Sequence, residues 1–312
     1  MYSLIKSFPI VRGYRASSLP YHVGGVWENR FGVEVLRSLS QHVQSRLRRR
    51  KVDSDIRDSV QTLDREGIVV FENYLSESDF ARVVHEYEAA FFGVGLRPYK
   101  GVANGKLHRA QIALAESRER FPGICQLFER NARLSRIASA VVRRRPTGFP
   151  KVHLDLYKSL LRNDVDNDVE NVLHADLHTP TIKMFFFIDD VDASNGAFIY
   201  ALGSHRLTVA RLIHEYDLSN RQAKLRNEMP IDRALVCRRG DEVRNIVDPR
   251  LRSRMRITES QVAVKKNTLV IANNMGFHRR GEFSSEVPRR SIQINFRYLE
   301  QPLGKGLFRS EA

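Results

Sequence analysis

The amino-acid sequence predicts a mainly β protein with flanking helices, its strands folded into a sandwich or barrel of the jelly-roll kind. Three observations predict it. Past about residue 150, short apolar or alternating runs follow one another: KVHLDLYKSL, IKMFFFIDDV, GAFIYAL, TLVIAN and RRSIQINFRY. Turn residues punctuate them, as in SNG at 194–196; short strands broken by turns characterise such two-sheet architectures. Before residue 150, apolar residues recur instead at helical spacing.

Taken in order, the elements read as follows. In FGVEVLRSLSQHVQSRLRRR (31–50), Leu36, Leu39, Val43 and Leu47 fall at helical spacing and arginines crowd the last turn, which predicts a helix. GIVVF (67–71) is a short buried strand. Ser76 followed by Asp79 has the form of a capping box. Phe80, Val83, Val84, Tyr87 and Phe91 then share one helical face. A second amphipathic helix is expected over 124–142, through Ile124, Leu127, Phe128, Ile137 and Val141. The strand runs come next. Residues 206–260 interrupt them with a polar, charged, partly helical stretch, expected to be an insertion across one end of the barrel. The expected organisation is a basic N-terminal helical extension (1–60), one β domain (61–303) and a short tail (304–312).

Composition narrows the function classes. The chain has 312 residues, 42% of them hydrophobic, enough for a sizeable core. The longest apolar run, Met184 to Ile188, falls far below the ~20 residues that span a bilayer. Two cysteines, Cys125 and Cys237, form no CxxC pair, which excludes a zinc ribbon and disfavours a disulfide framework. Two free thiols suit a reducing compartment, so a cytoplasmic protein is expected, with organellar targeting by the basic N-terminus left open. The net charge is +15, and residues 1–50 hold nine Lys or Arg against Glu28 and Glu34. Such a stretch can meet nucleic acid, anionic lipid or an acidic partner, or be a solvated basic helix.

The chemistry concentrates in two places. NVLHADLHTP (171–180) offers His174, Asp176 and His178. On an extended strand residues i and i+2 share a face, so His174 and Asp176 project together. Two histidines and one carboxylate make a facial triad that leaves metal positions open; a hydrogen-bonded polar pair on a strand has the same spacing. The candidate third ligand is His278 in TLVIANNMGFHRRGEF, where an apolar strand ends and Gly276 permits a close turn. Beyond it, Arg289, Ser291, Gln293, Asn295 and Arg297 alternate with Arg290, Ile292, Ile294 and Phe296. That polar face suits an anion, since a guanidinium binds a carboxylate bidentately and a nearby hydroxyl adds a donor.

GIVVFENYLSESDF, HAD, DDVDASNGAFIYALGSH and TLVIANNMGFHRRG…PRRS occur in this order. Together they resemble the phytanoyl-CoA dioxygenase family, over roughly residues 62–300. The resemblance implies a double-stranded β-helix and an enzyme dependent on Fe(II), 2-oxoglutarate and O2 that hydroxylates a C–H bond. It makes His174, Asp176 and His278 the iron ligands. It makes Arg289, eleven positions past His278, the partner of the far carboxylate of 2-oxoglutarate, with Ser291 beside it. Arg290 takes that place if the strand register slips by one. Lys158 and Lys183 are further co-substrate contacts by the same resemblance, and His205 in GSH (203–205) is structural. Asn273 stands where many relatives carry aspartate. Asp176 disfavours a halogenase, which needs that carboxylate missing. His178 could hold substrate or replace a ligand; because the triad is already filled, it is expected to hold substrate.

The expected partner is a small-molecule substrate, mildly favoured as anionic: an acyl-CoA, a phosphorylated compound or a sugar acid. Arg238, Arg239, Arg244, Arg250, Arg252 and Arg254 in the insertion add to that, or form a solvated surface. Two rivals stand beside this reading. One is a nucleic-acid-acting oxygenase, disfavoured because no aromatic and basic residues interleave as in a base-stacking platform. The other is a non-catalytic jelly-roll binding protein. A peripheral contact with an anionic surface stays open, and oligomeric state is not readable.

Overall fold

The structure is a computed structural model; it describes most of residues 26–39, then 52–92, 99–113, 121–142, 151–159, 171–175, 181–228 and 246–297, with brief gaps inside some spans. The N-terminal extension enters as a short helix α1 (Val26–Arg30). Then follow α2 (Arg57–Glu66), β1 (Ile68–Phe71), α3 (Glu77–Phe92), β2 (Tyr99–Ala103), β3 (Lys106–Ala113), α4 (Ala132–Val142), β4 (Lys151–Ser159), β5 (Ile182–Phe187) and β6 (Phe198–Ala201). The connection from β6 to the next strand carries α5 (Val209–Glu228) and α6 (Pro249–Arg254). The chain ends on β7 (Glu259–Val262), β8 (Thr268–Asn273), β9 (His278–Arg280) and β10 (Arg289–Arg297).

Two antiparallel sheets result. The larger has the order β1-β8-β5-β10-β4-β3-β2 and the smaller β7-β6-β9. An isolated antiparallel bridge, His174 to His278, lays the 171–175 segment along the free side of β9. β8 sits between β1 and β5 and is buried along its whole length, which explains the unbroken apolar run TLVIA. Its residues alternate between two cores. Leu269 and Ile271 join Met184, Phe186, Ile292 and Ile294 under the helical layer, with Val60, Leu63, Val83, Tyr87, Leu134 and Ile137. Val270 and Ala272 join Ile68, Phe187, Phe198, Tyr200 and Val262 between the two sheets. The core thus takes in α2 and Ile56 just before it.

The local signals behave as their chemistry requires. Asp79 N–H donates to Ser76 Oγ at 3.1 Å, the expected N-cap of α3. Gly67 ends α2 in the left-handed region, φ 86°, and its N–H returns to the Leu63 carbonyl. Asp192 and Asn195 tie the turn between β5 and β6 through Asp192 Oδ1 to Ser194 N–H (2.7 Å) and Asn195 Oδ1 to Asp192 N–H (2.9 Å).

Two expectations are corrected. The helix expected over 124–142 is divided: a short helix Pro122–Ile124 runs into a wider turn, Cys125–Glu129, and α4 starts afresh at Ala132. Asn131 causes the break, its Oδ1 capping Leu134 N–H at 3.2 Å while its Nδ2 closes on the Leu127 carbonyl at 3.0 Å. The strand GIVVF is not buried throughout; Ile68 is, but Val70 is 39% exposed, because β1 lies at the edge of the larger sheet. Of the helix expected at 31–50, residues 40–50 lie outside the described residues.

Candidate metal centre

The bridge between the 171–175 segment and β9 is the centre of the site. His174 and His278 exchange both backbone hydrogen bonds, at 3.0 and 2.8 Å. Directly opposed residues of an antiparallel pair project to the same side, and the two imidazole centres lie 4.8 Å apart with their planes at 52°. Each ring is tethered the same way. His174 Nδ1 donates to the Val172 carbonyl at 2.7 Å, and His278 Nδ1 donates to the Gly276 carbonyl at 2.9 Å. A carbonyl only accepts, so each Nδ1 carries a proton, and in the neutral ring each Nε2 is then the nitrogen able to ligate. That is the ligating tautomer, held in place by the backbone.

The donor set fits a divalent ion. Two imidazoles sharing one ion at about 2.1 Å per nitrogen, on adjacent positions, place their ring centres roughly 4.5–5 Å apart. The observed separation falls in that interval. Both side chains are buried, at 5% and 3% exposure. Among the described residues no group of three or more His, Cys, Asp or Glu gathers. Asp176 and His178 lie outside the described residues.

The register of β10 assigns its two arginines to opposite faces. Ser291 stands opposite Phe187 and Gln293 opposite Phe185, so these polar residues face the space between the sheets with the inner core. Arg289, two residues before Ser291, shares that face. Its Cζ lies 5.9 Å from the Phe187 ring centre, and its Nη1 donates to the Gly196 carbonyl. Its Nε is buried with no hydrogen-bond partner among the described residues. Loss of solvent pushes its pKa down to about 10, and the nearby Arg280 cation adds to the shift. Arg290 points the other way, toward α3. Its Nε meets Asp189 at 2.9–3.0 Å, and Nη1 meets Glu88. Its hydrogen bonds to Asp189 hold that guanidinium firmly charged.

The two lysines fall at different register positions. Lys183 stands opposite Asn295, and its Nζ lies 5.4 Å from the Phe185 ring centre on the same face. Lys158 stands opposite Arg290, and Tyr157 stands opposite Ser291. Lys158 therefore sits in register with the outward arginine. His205 is structural as expected: its Nε2 donates to the Asp64 carbonyl at 3.2 Å, and burial brings its pKa down to about 4.

One residue was missed. Arg280 stands opposite Phe198 on β9 and so faces inward beside His278, while Arg279 turns out to Glu259 at 2.7 Å. Arg280 Nη2 reaches Asn171 Oδ1 at 2.9 Å. The signal was present, since Arg280 is two residues past His278 and shares its face. An aromatic wall links these groups: Phe198 lies 5.5 Å from His278 and 5.0 Å from Phe185, and Phe185 stacks on Phe187 at 6.1 Å.

Comparison with known proteins places the fold. No protein-family model matches the sequence, and no curated protein does. Among solved structures, the non-heme alpha ketoglutarate dependent epimerase SnoN from nogalamycin biosynthesis matches with a TM-score of 0.51 at 13% identity, over 81% of this chain and 91% of SnoN. A second SnoN structure, in complex with Fe3+, alpha ketoglutarate and nogalamycin RO, matches at 0.50 and 11% identity, over 83% and 92%. AviO1 from Streptomyces viridochromogenes Tue57 matches at 0.47 and 17% identity, over 81% and 99%. The chain has the double-stranded β-helix fold with flanking helices. No helix among the described residues is long and apolar enough to cross a membrane.

Proposed function

We propose that the chain is an Fe(II)- and 2-oxoglutarate-dependent oxygenase that hydroxylates a C–H bond of a small anionic metabolite. The observation that carries this reading is the His174–His278 pair: two buried imidazoles bridged by backbone, with both rings oriented by Nδ1 tethers to carbonyls. His174 and His278 would hold iron, with Asp176 as the carboxylate ligand. Arg289 would receive the far carboxylate of 2-oxoglutarate, with the Ser291 hydroxyl as a second donor and Lys183 at the same face. Bound iron and co-substrate would supply O2 activation and the oxidation of an unactivated C–H bond.

The protein's own part is orientation and exclusion. The two Nδ1 tethers fix the imidazole planes before a metal arrives. Arg289 is partly withdrawn from water and its pKa is lowered, so an anion bound there would offset that desolvation. The Phe185–Phe187–Phe198 wall keeps water from the space between them. Arg280 adds a second inward cation, which supports an anionic substrate of the acyl-CoA, phosphorylated or sugar-acid type.

The test is direct. Protein reconstituted anaerobically with Fe(II) is given 2-oxoglutarate, O2 and an acidic metabolite fraction, and succinate is measured together with any product one oxygen atom heavier. The reading expects both to rise together, and both to vanish in His174→Ala and His278→Ala along with stoichiometric iron. Wild-type protein that retains no iron and releases no succinate is instead a binding protein.

A further inference from the structure

We propose that Arg211, on the helix inserted between β6 and β7, is a positioning residue for His278 that acts through the Met275–Phe277 turn; this rests on the metal reading of His174 and His278. Arg211 is 1% exposed. Its Nη1 donates to the carbonyls of Ser204 (3.0 Å) and Met275 (2.9 Å), and its Nε donates to Glu215 Oε1 at 2.6 Å. Its Cζ lies 4.3 Å from the centre of the Phe277 ring. Burying such a pair is costly, and an apolar pair of the same volume docks a helix at least as well. What the guanidinium adds is a rigid planar fork with donors in fixed directions.

Those donors converge on the segment that aims His278. Met275, Gly276 and Phe277 span the gap between β8 and β9. The Met275 carbonyl is held by Arg211. Phe277 N–H donates to Ser204 Oγ at 2.8 Å, and Ser204 Oγ in turn donates to the Ala201 carbonyl at 2.6 Å. Ser204 presents its carbonyl to the same Arg211 nitrogen. The peptide between these anchors carries the Gly276 carbonyl, which accepts from His278 Nδ1. Arg211 therefore ties together the two segments that fix the direction of that carbonyl. The carbonyl fixes the plane of the imidazole, so α5 bears on the metal centre without touching it.

The experiment uses the full-length apo protein titrated with Co(II), reading the dissociation constant and the visible ligand-field band, beside thermal unfolding without metal. Arg211→Met/Glu215→Leu removes both members of the buried pair together. It is expected to keep the apo unfolding temperature within a few degrees of wild type. Its Co(II) dissociation constant should rise about 10- to 100-fold, with a changed band. Arg211→Lys retains the charge but not the fork, and is expected to bind Co(II) as poorly as the double variant. If the double variant fails to fold, Arg211→Lys alone decides. Wild-type affinity and band in whichever folded variant decides overturn the proposal and leave the metal reading standing. Wild-type protein whose Co(II) binding is absent, or indifferent to His278→Ala, overturns the metal reading and this proposal with it.

Discussion

Arg289 and Arg290 are adjacent in sequence and chemically identical, yet they meet opposite surroundings. Arg290 already has carboxylates, Asp189 and Glu88; Arg289 has a carbonyl and a desolvated Nε. A guanidinium satisfied by the protein's own acids has little left for a ligand, whereas one held short of anions gains most from binding one. Arg289→Ala is expected to raise the half-saturating 2-oxoglutarate concentration at least 10-fold in succinate assays, with unfolding unchanged within about 1 kcal/mol. Arg290→Ala should do the reverse, costing about 1–2 kcal/mol in urea unfolding because two partly exposed carboxylates lose their cation. If Arg290→Ala alone shifts the 2-oxoglutarate requirement, Arg289 is not the co-substrate arginine. The sequence left this choice open because period-two alternation defines two faces but not which is inner. Asp189, one residue past the IKMFFFI run, was the unread clue that the Arg290 face is acid-lined. For Arg280 the clue was period two itself, applied to Arg289 and not to the strand after His278.

At the scale of elements, the long apolar strands β4, β5, β8 and β10 were legible because tertiary burial and local pattern agree in them. β7 and β9 were not. ESQV and HRR carry no apolar alternation, and what makes them strands is pairing on both sides of β6. The turn that leads into β9 was legible through Gly276, although the reason differs from backbone freedom. A Cβ on Gly276 would lie 1.8 Å from Tyr200 Oη and 2.3 Å from its Cζ. Tyr200 is fully buried and donates to the Asn273 carbonyl at 2.8 Å, so it has nowhere to move. Gly276→Ala is therefore expected to lower stability by about 2–4 kcal/mol in urea unfolding and to weaken Co(II) binding, because the displaced carbonyl is the one that orients His278. Tyr200→Phe should not rescue it, since the ring carbon clashes as well as the hydroxyl. A Gly276→Ala protein with wild-type stability would show that the turn yields freely, and the clamp on His278 would lose its rigid floor.

At the scale of the whole molecule, the two sheets and the helical layer meet at the turn after β6. His205 in that turn reaches the Asp64 carbonyl on α2, and a Cβ on Gly67 would lie 2.5 Å from its Nδ1. The imidazole is thus wedged between the smaller sheet and the helix that precedes β1, where burial holds it neutral with a pKa near 4. The sign of its pH effect follows. The unfolded chain titrates this histidine near 6.5, so between about pH 6.5 and 4 the unfolded state binds the proton and the folded state does not. Stability from this group is complete above the unfolded pKa and is lost as pH falls toward the folded one. Between pH 7 and pH 5 the loss amounts to about 1–2 kcal/mol. His205→Gln keeps an amide donor for the Asp64 carbonyl but cannot titrate, and every other ionisable group is common to both proteins. In metal-free urea unfolding, wild type should therefore lose about 1–2 kcal/mol more than His205→Gln over that interval. Parallel pH profiles would mean that the joint opens to solvent in the native state, and that the sheets are not locked to the helical layer at this turn.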